Sequence, residues 1–139
     1  VFGDIDLLPH REWEEKVCAA AGVRAHLPLW DWPRERVVEA IFARGIEAVC
    51  VCVNTRLMPE EFCGRPYDRD FVRDLPPGVD ACGENGEFHT CVVDAPGFAK
   101  RVPLTVTGSR DYVAPESMGG VRFVYAQIAR SGAAPAADA

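Results

Sequence analysis

From Pro9 to Ala21 apolar residues recur at helical spacing, with Trp13, Val17 and Ala20 or Ala21 on one stripe, Glu12, Glu14 and Glu15 near the start, and Gly22 as a stop. The spacing predicts a helix packed through Trp13. Val23 to Leu29 is a short apolar stretch suited to a strand. Asp31-Trp32-Pro33 then supplies a cap and a proline for the first turn of a second helix, which runs through Val37, Val38, Ile41 and Phe42 and stops at Gly45. Glu47 to Val53 is apolar on both faces and rich in β-branched residues, the pattern of a central strand in a parallel sheet. Val1-Phe2 reads as the end of a buried strand in a chain that opens without methionine, so the sequence reads as the second half of something longer. The resulting β-α-β-α-β order predicts a parallel, right-handed α/β sheet with ligands at the carboxyl ends of its strands, which selects Gly3-Asp4, Leu29-Trp30 and Asn54-Thr55-Arg56.

The texture then changes. Met58 to Leu75 reads as short helices broken at Gly64, capped near Asp68 and ended by Pro76-Pro77-Gly78. Phe88 to Val93, Val102 to Thr107 and Val121 to Ile128 read as strands of an antiparallel appendage, and Ser131 to Ala139 as a disordered, frayed tail. The expected domains are therefore 1–57, 58–130 and the tail 131–139.

Composition narrows the function. The 139 residues carry a net charge of −6 at a pI near 5.0, with basic residues alternating with acids, which argues against a nucleic-acid surface. The longest apolar run, Ala48 to Val53, is far short of a membrane span. Cys18, Cys50, Cys52, Cys63, Cys82 and Cys91 lie mostly in apolar segments, where a thiol behaves as a small hydrophobe; a reduced, cytoplasmic chain is expected. No cysteine pair has the C-x-x-C spacing, and His10, His26 and His89 are scattered, so no metal site is expected.

The densest polar cluster is Cys82-Gly83-Glu84-Asn85-Gly86-Glu87-Phe88-His89-Thr90. An Asn85-Gly86 turn would fold Glu84 and Glu87 towards each other, and the strand period would put Glu87 and His89 on one face. Two carboxylates beside an imidazole could hold an ammonium and remove its proton; the same residues also suit a plain hairpin with solvated acids. Asp4 and Asp6 could bind a ribose hydroxyl, a cation or an amine, or cap a turn. Arg65 could grip a phosphate or carboxylate, or be an ordinary exposed arginine. Trp30, at a strand end, could line the site, and Cys82 could be a nucleophile, although no base is evident beside it. Neither a G-x-x-x-x-G-K-[ST] loop nor a Ser-Gly-Gly-x-Asp-Ser loop is present to grip phosphates.

The run Gly83-Glu84-Asn85-Gly86-Glu87-Phe88-His89-Thr90 resembles the signature loop of the diphthine-ammonia ligase family of ATP pyrophosphatases. Gly3-Asp4-Ile5, His10-Arg11-Glu12-Trp13 with Val17-Cys18, Leu27-Pro28-Leu29-Trp30, Gly64-Arg65 and Val92 through Pro96 agree in order, over about Val1 to Leu104. The resemblance implies the end of a PP-loop nucleotide-binding α/β domain (HUP or Rossmann-like) at 1–57 and a small α+β substrate domain at 58–130. It implies ATP, with Mg2+, adenylylating the carboxylate of diphthine on elongation factor 2, after which ammonia displaces AMP to give diphthamide; a bacterial relative would amidate another carboxylate. Carried over by position, Glu84, Glu87 and His89 would be catalytic. Asn85, Gly86, Thr90 and Arg65 would bind the acceptor, and Gly3 and Asp4 the nucleotide. The family's phosphate loop would precede Val1 by two to three βα units, about 80 to 100 residues, so the isolated chain is expected to turn nothing over. The other readings are a non-catalytic substrate-binding or assembly module working with a separate nucleotide-binding half, and an ATP-dependent enzyme acting on RNA, which the acidic balance disfavours.

Overall fold

The computed structural model describes residues 1–130; the tail read at 131–139 lies outside the described residues. Two compact units divide between Ala40 and Ile41. In the first, the helical spacing is realised as α1 (Leu8–Ala20), with proline in its first turn, and as the start of α2 (Arg34–Ala43) directly after Pro33. The expected strands at Val1-Phe2 and Val23–Leu29 are not formed. Among the described residues a single backbone bond, Phe2 N to His26 O at 3.0 Å, joins the two stretches, and Leu27–Trp32 closes into successive turns around Pro28.

The stripe of α1 is also corrected. Trp13 and Val17 are 62% and 45% exposed, and the buried residue of the helix is Glu14. A unit this small cannot cover two faces of a helix, and the covered one carries Glu14, one turn after His10. Burial, and then Asp4, push the Glu14 carboxyl above the usual carboxylate range.

The second unit is built on β1 (Glu47–Asn54), β2 (Phe88–Asp94), β3 (Leu104–Val113) and β4 (Arg122–Arg130), in the order β2-β1-β4-β3. Glu47–Val53 was expected in a parallel sheet, but β1 pairs antiparallel with both β2 and β4. An apolar run shows that a strand is covered on both faces and leaves the direction of its neighbours open. β4 reaches only Cys52–Asn54 on one edge of β1. The rest of that edge is taken by the segment at Gly64–Tyr67, where Gly64 N donates to Cys50 O (2.7 Å), Cys50 N to Arg65 O (2.9 Å) and Tyr67 N to Ala48 O (2.8 Å). Gly64 and Arg65 thus face the single residue Cys50, a bulge that puts Gly64 at φ 87°.

α3 (Arg69–Asp74) is capped as expected by Asp68, whose carboxylate accepts from Phe71 N at 2.8 Å. It lays Phe71, fully buried, between Phe62, Tyr67 and Phe88, with ring centroids 5.1, 5.3 and 5.2 Å away. This aromatic layer and Ala48, Cys50 and Val53 of β1 form the core. Burial pushes the Cys50 thiol up to about 12, and all six cysteines are free thiols, so Cys50 is a packing residue.

Candidate active site

The residues from Asp80 to Glu87 form a loop whose shape follows from its own hydrogen bonds. Gly83 N donates to Asp80 O (3.0 Å) and Gly86 N to Gly83 O (3.2 Å), two turns in succession. No strand lies directly before them, so the loop is a double turn running into β2, and the alternative of a plain hairpin is not formed. Gly83 sits at φ 72°, and a Cβ there would lie 2.9 Å from Phe88 O. Only glycine fits this position.

Glu87 is 3% exposed and holds the loop together. Its Oε1 accepts from Asp80 N and Asn85 Nδ2, both at 3.1 Å, and its Oε2 from Asn85 N at 3.0 Å. Asp80 Oδ1 accepts from Cys82 N at 2.9 Å and closes an Asx turn at the loop entrance. The end of β1 fixes the far side: Asn54 N donates to Glu87 O (2.9 Å) and Asn54 Nδ2 to Gly86 O (3.3 Å). Tyr67 anchors the approach, its hydroxyl donating to Ala81 O at 2.7 Å from within the aromatic layer. Burial raises the Tyr67 phenol well above its ordinary range, so this donor keeps its proton.

The structure therefore brings Glu84, Asn85, Gly86 and Glu87 together and sets His89 and Thr90 on β2 directly after them. The expected common face for Glu87 and His89 is not found. Glu87 precedes the strand and turns inward, whereas His89 and Thr90 are exposed. The register shifts here, because the step from Thr90 to His89 spans Cys50 to Cys52 on β1, and strict alternation is lost. Glu84 is partly buried. Arg65 donates to Asp74 at 2.8 Å and lies over the rings of Phe62 and Phe71, with its guanidinium carbon 4.6 and 5.6 Å from their centroids. Gly3 and Asp4 belong to the first unit, where Asp4 Oδ1 is 2.7 Å from His10 Nδ1. Trp30, also in that unit, lies under the Arg11 guanidinium at 4.8 Å. Among the described residues no three His, Cys, Asp or Glu side chains gather to hold a metal ion, and no helix is long and apolar enough to cross a membrane.

The sequence reading selects Asn54 through the strand-end rule but does not reach Asp80 or Tyr67. Asp80 carried a readable signal, a short acid two residues before a polar loop.

A profile of the diphthamide synthase C-terminal domain matches residues 33–117, which include the whole loop. Among curated proteins, a diphthine–ammonia ligase of Bos taurus is 30% identical over 110 residues, 73% of this chain and 41% of the relative. Another from Danio rerio is 29% identical over 118 residues, 78% of this chain and 46% of the relative. One from Schizosaccharomyces pombe is 27% identical over 95 residues, 66% of this chain and 16% of the relative. The chain thus spans less than half the length of these relatives. With more than half of its residues and the whole Glu87-centred loop inside the profile, the chain belongs to the diphthamide synthase C-terminal domain family.

Proposed function

We propose that this chain forms the acceptor side of an ATP-dependent carboxylate–ammonia ligase of the diphthine–ammonia ligase type. The observation that carries the reading is the Gly83–Thr90 loop, organised around Glu87 in a chain of this family. ATP would activate the acceptor carboxylate as its adenylate, releasing diphosphate. Ammonia would then attack the acyl carbon, lose a proton and expel AMP. Diphthine on elongation factor 2, or a related carboxylate in bacteria, would be the acceptor, and the reaction would take place in the cytoplasm.

In this reading the residues divide by placement. Glu84 and His89 take the proton-transfer roles. Asn85, Gly86 and Thr90 contact the acceptor. Glu87, expected to be catalytic, acts by fixing Asn85 and the loop amides, since both of its oxygens are occupied inside the loop. Arg65, which gives Asp74 one Nη2 bond, would meet an anion beside that carboxylate. Gly3 and Asp4 stand on the nucleotide side, with the parallel PP-loop sheet supplied by the rest of the protein. The described residues offer no metal cluster, so no step is assigned to Mg2+ on this chain.

The test is product analysis with the complete protein, acceptor and ammonia. AMP and diphosphate are expected. ADP and phosphate would overturn adenylylation, and capture of a separate nucleotide-binding polypeptide by a complete protein that releases neither pair would favour the assembly-module reading.

A further inference from the structure

Glu14 of α1 takes no part in the loop chemistry, yet it is held in an unusual state. The residue is 4% exposed, its Oε2 is shut off from solvent, and among the described residues that oxygen has no hydrogen-bond partner. A carboxylate oxygen that finds neither water nor a donor is costly to bury. The same carboxyl holding its proton is neutral and costs far less.

The groups around it act in the same direction. His10 and Glu14 are four residues apart on α1 and share one face of the helix. His10 Nδ1 lies 2.7 Å from Asp4 Oδ1, which draws Asp4 onto that face from the segment before the helix. Burial first, and then a hydrogen bond and the charge of Asp4, push the Glu14 carboxyl above its ordinary value of 4.5. Two carboxyls in contact keep one proton between them, because two negative charges in a poorly hydrated place repel. The positive groups that face Glu14 are His10 and the Val1 amino group. His10 is turned to Asp4 with 61% of its side chain exposed, and Val1 is 88% exposed, so water answers most of both charges.

We propose that Asp4, His10 and Glu14 form a proton-operated latch between α1 and the segment that leads into it, closed while Glu14 holds its proton and opened when that proton is lost. The bond that breaks is the Glu14 O–H, and the proton passes to solvent. Asp4 then faces a second carboxylate across a dry contact, and α1 lifts to let water reach it. Because the folded chain holds this proton more tightly than the unfolded chain, the contribution of Glu14 is complete below 4.5 and is lost as pH rises through the folded value. The latch belongs to the first unit alone and does not depend on the ligase reading.

The test is a pH titration of the 139-residue chain, isotope-labelled at its glutamate carboxyls, together with amide hydrogen exchange. The Glu14 carboxyl, assigned by its disappearance in Glu14→Gln, is expected to titrate above 4.5. Protection of the α1 amides, corrected for the intrinsic effect of pH on exchange, should fall at least about tenfold as that carboxyl ionises, while the amides of β1 keep theirs. In Glu14→Gln, which is neutral throughout, α1 protection should not change over the same range. If that variant does not fold, Asp4→Asn, which removes the neighbouring charge, must bring the Glu14 titration down towards 4.5. Titration of Glu14 at or below 4.5, α1 protection that is constant with pH, a fall that persists in Glu14→Gln, or a Glu14 titration unmoved by Asp4→Asn would each overturn the proposal.

Discussion

Replacing the Glu87 carboxylate by a carboxamide would turn one acceptor into a donor facing backbone N–H groups. Asp80 N, Asn85 N and Asn85 Nδ2 all point at these two oxygens, so either orientation of a glutamine leaves at least one buried donor unmatched. Glu87→Gln is expected to destabilise the chain by about 1–3 kcal/mol and to shift the Asn85 and Gly86 amides, seen in a denaturant titration and an amide spectrum. An unmoved loop would mean that the three bonds carry no weight. A second prediction concerns Asp74, whose carboxyl is held below the ordinary value of 3.8 by its hydrogen bond to Arg65, with Arg73 adding to it. A depressed carboxylate contributes stability above the unfolded value and loses it as pH falls through the folded one. Arg65→Ala should therefore raise the Asp74 pKa towards 3.8 and reduce stability at neutral pH more than in strong acid, as followed by carboxyl resonances and pH-dependent unfolding.

At the scale of elements, β1 is the piece on which the second unit is assembled. One edge carries β2, and the other is shared between β4 and the bulged segment at Gly64–Tyr67. The bulge aims Tyr67 into the core and Arg65 towards Asp74, so the Gly64-Arg65 pair noted in the sequence has a structural use. α3 is too short to hold itself together by its own backbone bonds and depends on its Asp68 cap and on Phe71. Phe71→Ala, which empties the middle of the aromatic layer, should cost about 3–5 kcal/mol in the denaturant midpoint. Because Phe71 packs on Phe88 and Tyr67, the same change should loosen the loop anchored by Tyr67, read as faster amide exchange at Ala81–Gly86. A loss well below 1 kcal/mol would show that the layer closes over the gap.

For the molecule as a whole, what the sequence by itself determined was local: helices α1 and α2, the Asp68 cap, the places of β2 and β4, the start of β3 and the loop that marks the family. These follow from periodicity, capping and turn chemistry, which act over a few residues. The tertiary structure decided the rest. It set β1 antiparallel, because an apolar run records burial and leaves the identity of its neighbours open. It left the Trp13 stripe exposed in its unit and buried Glu14, because coverage depends on which residues surround a helix. It turned Glu87 into the loop and left His89 outside, because a register shift between Cys50 and Cys52 overrides the period of two. It also joined Asn54, Tyr67 and Asp80 to that loop from separate parts of the chain, since hydrogen bonds between distant segments leave no spacing for a sequence to show.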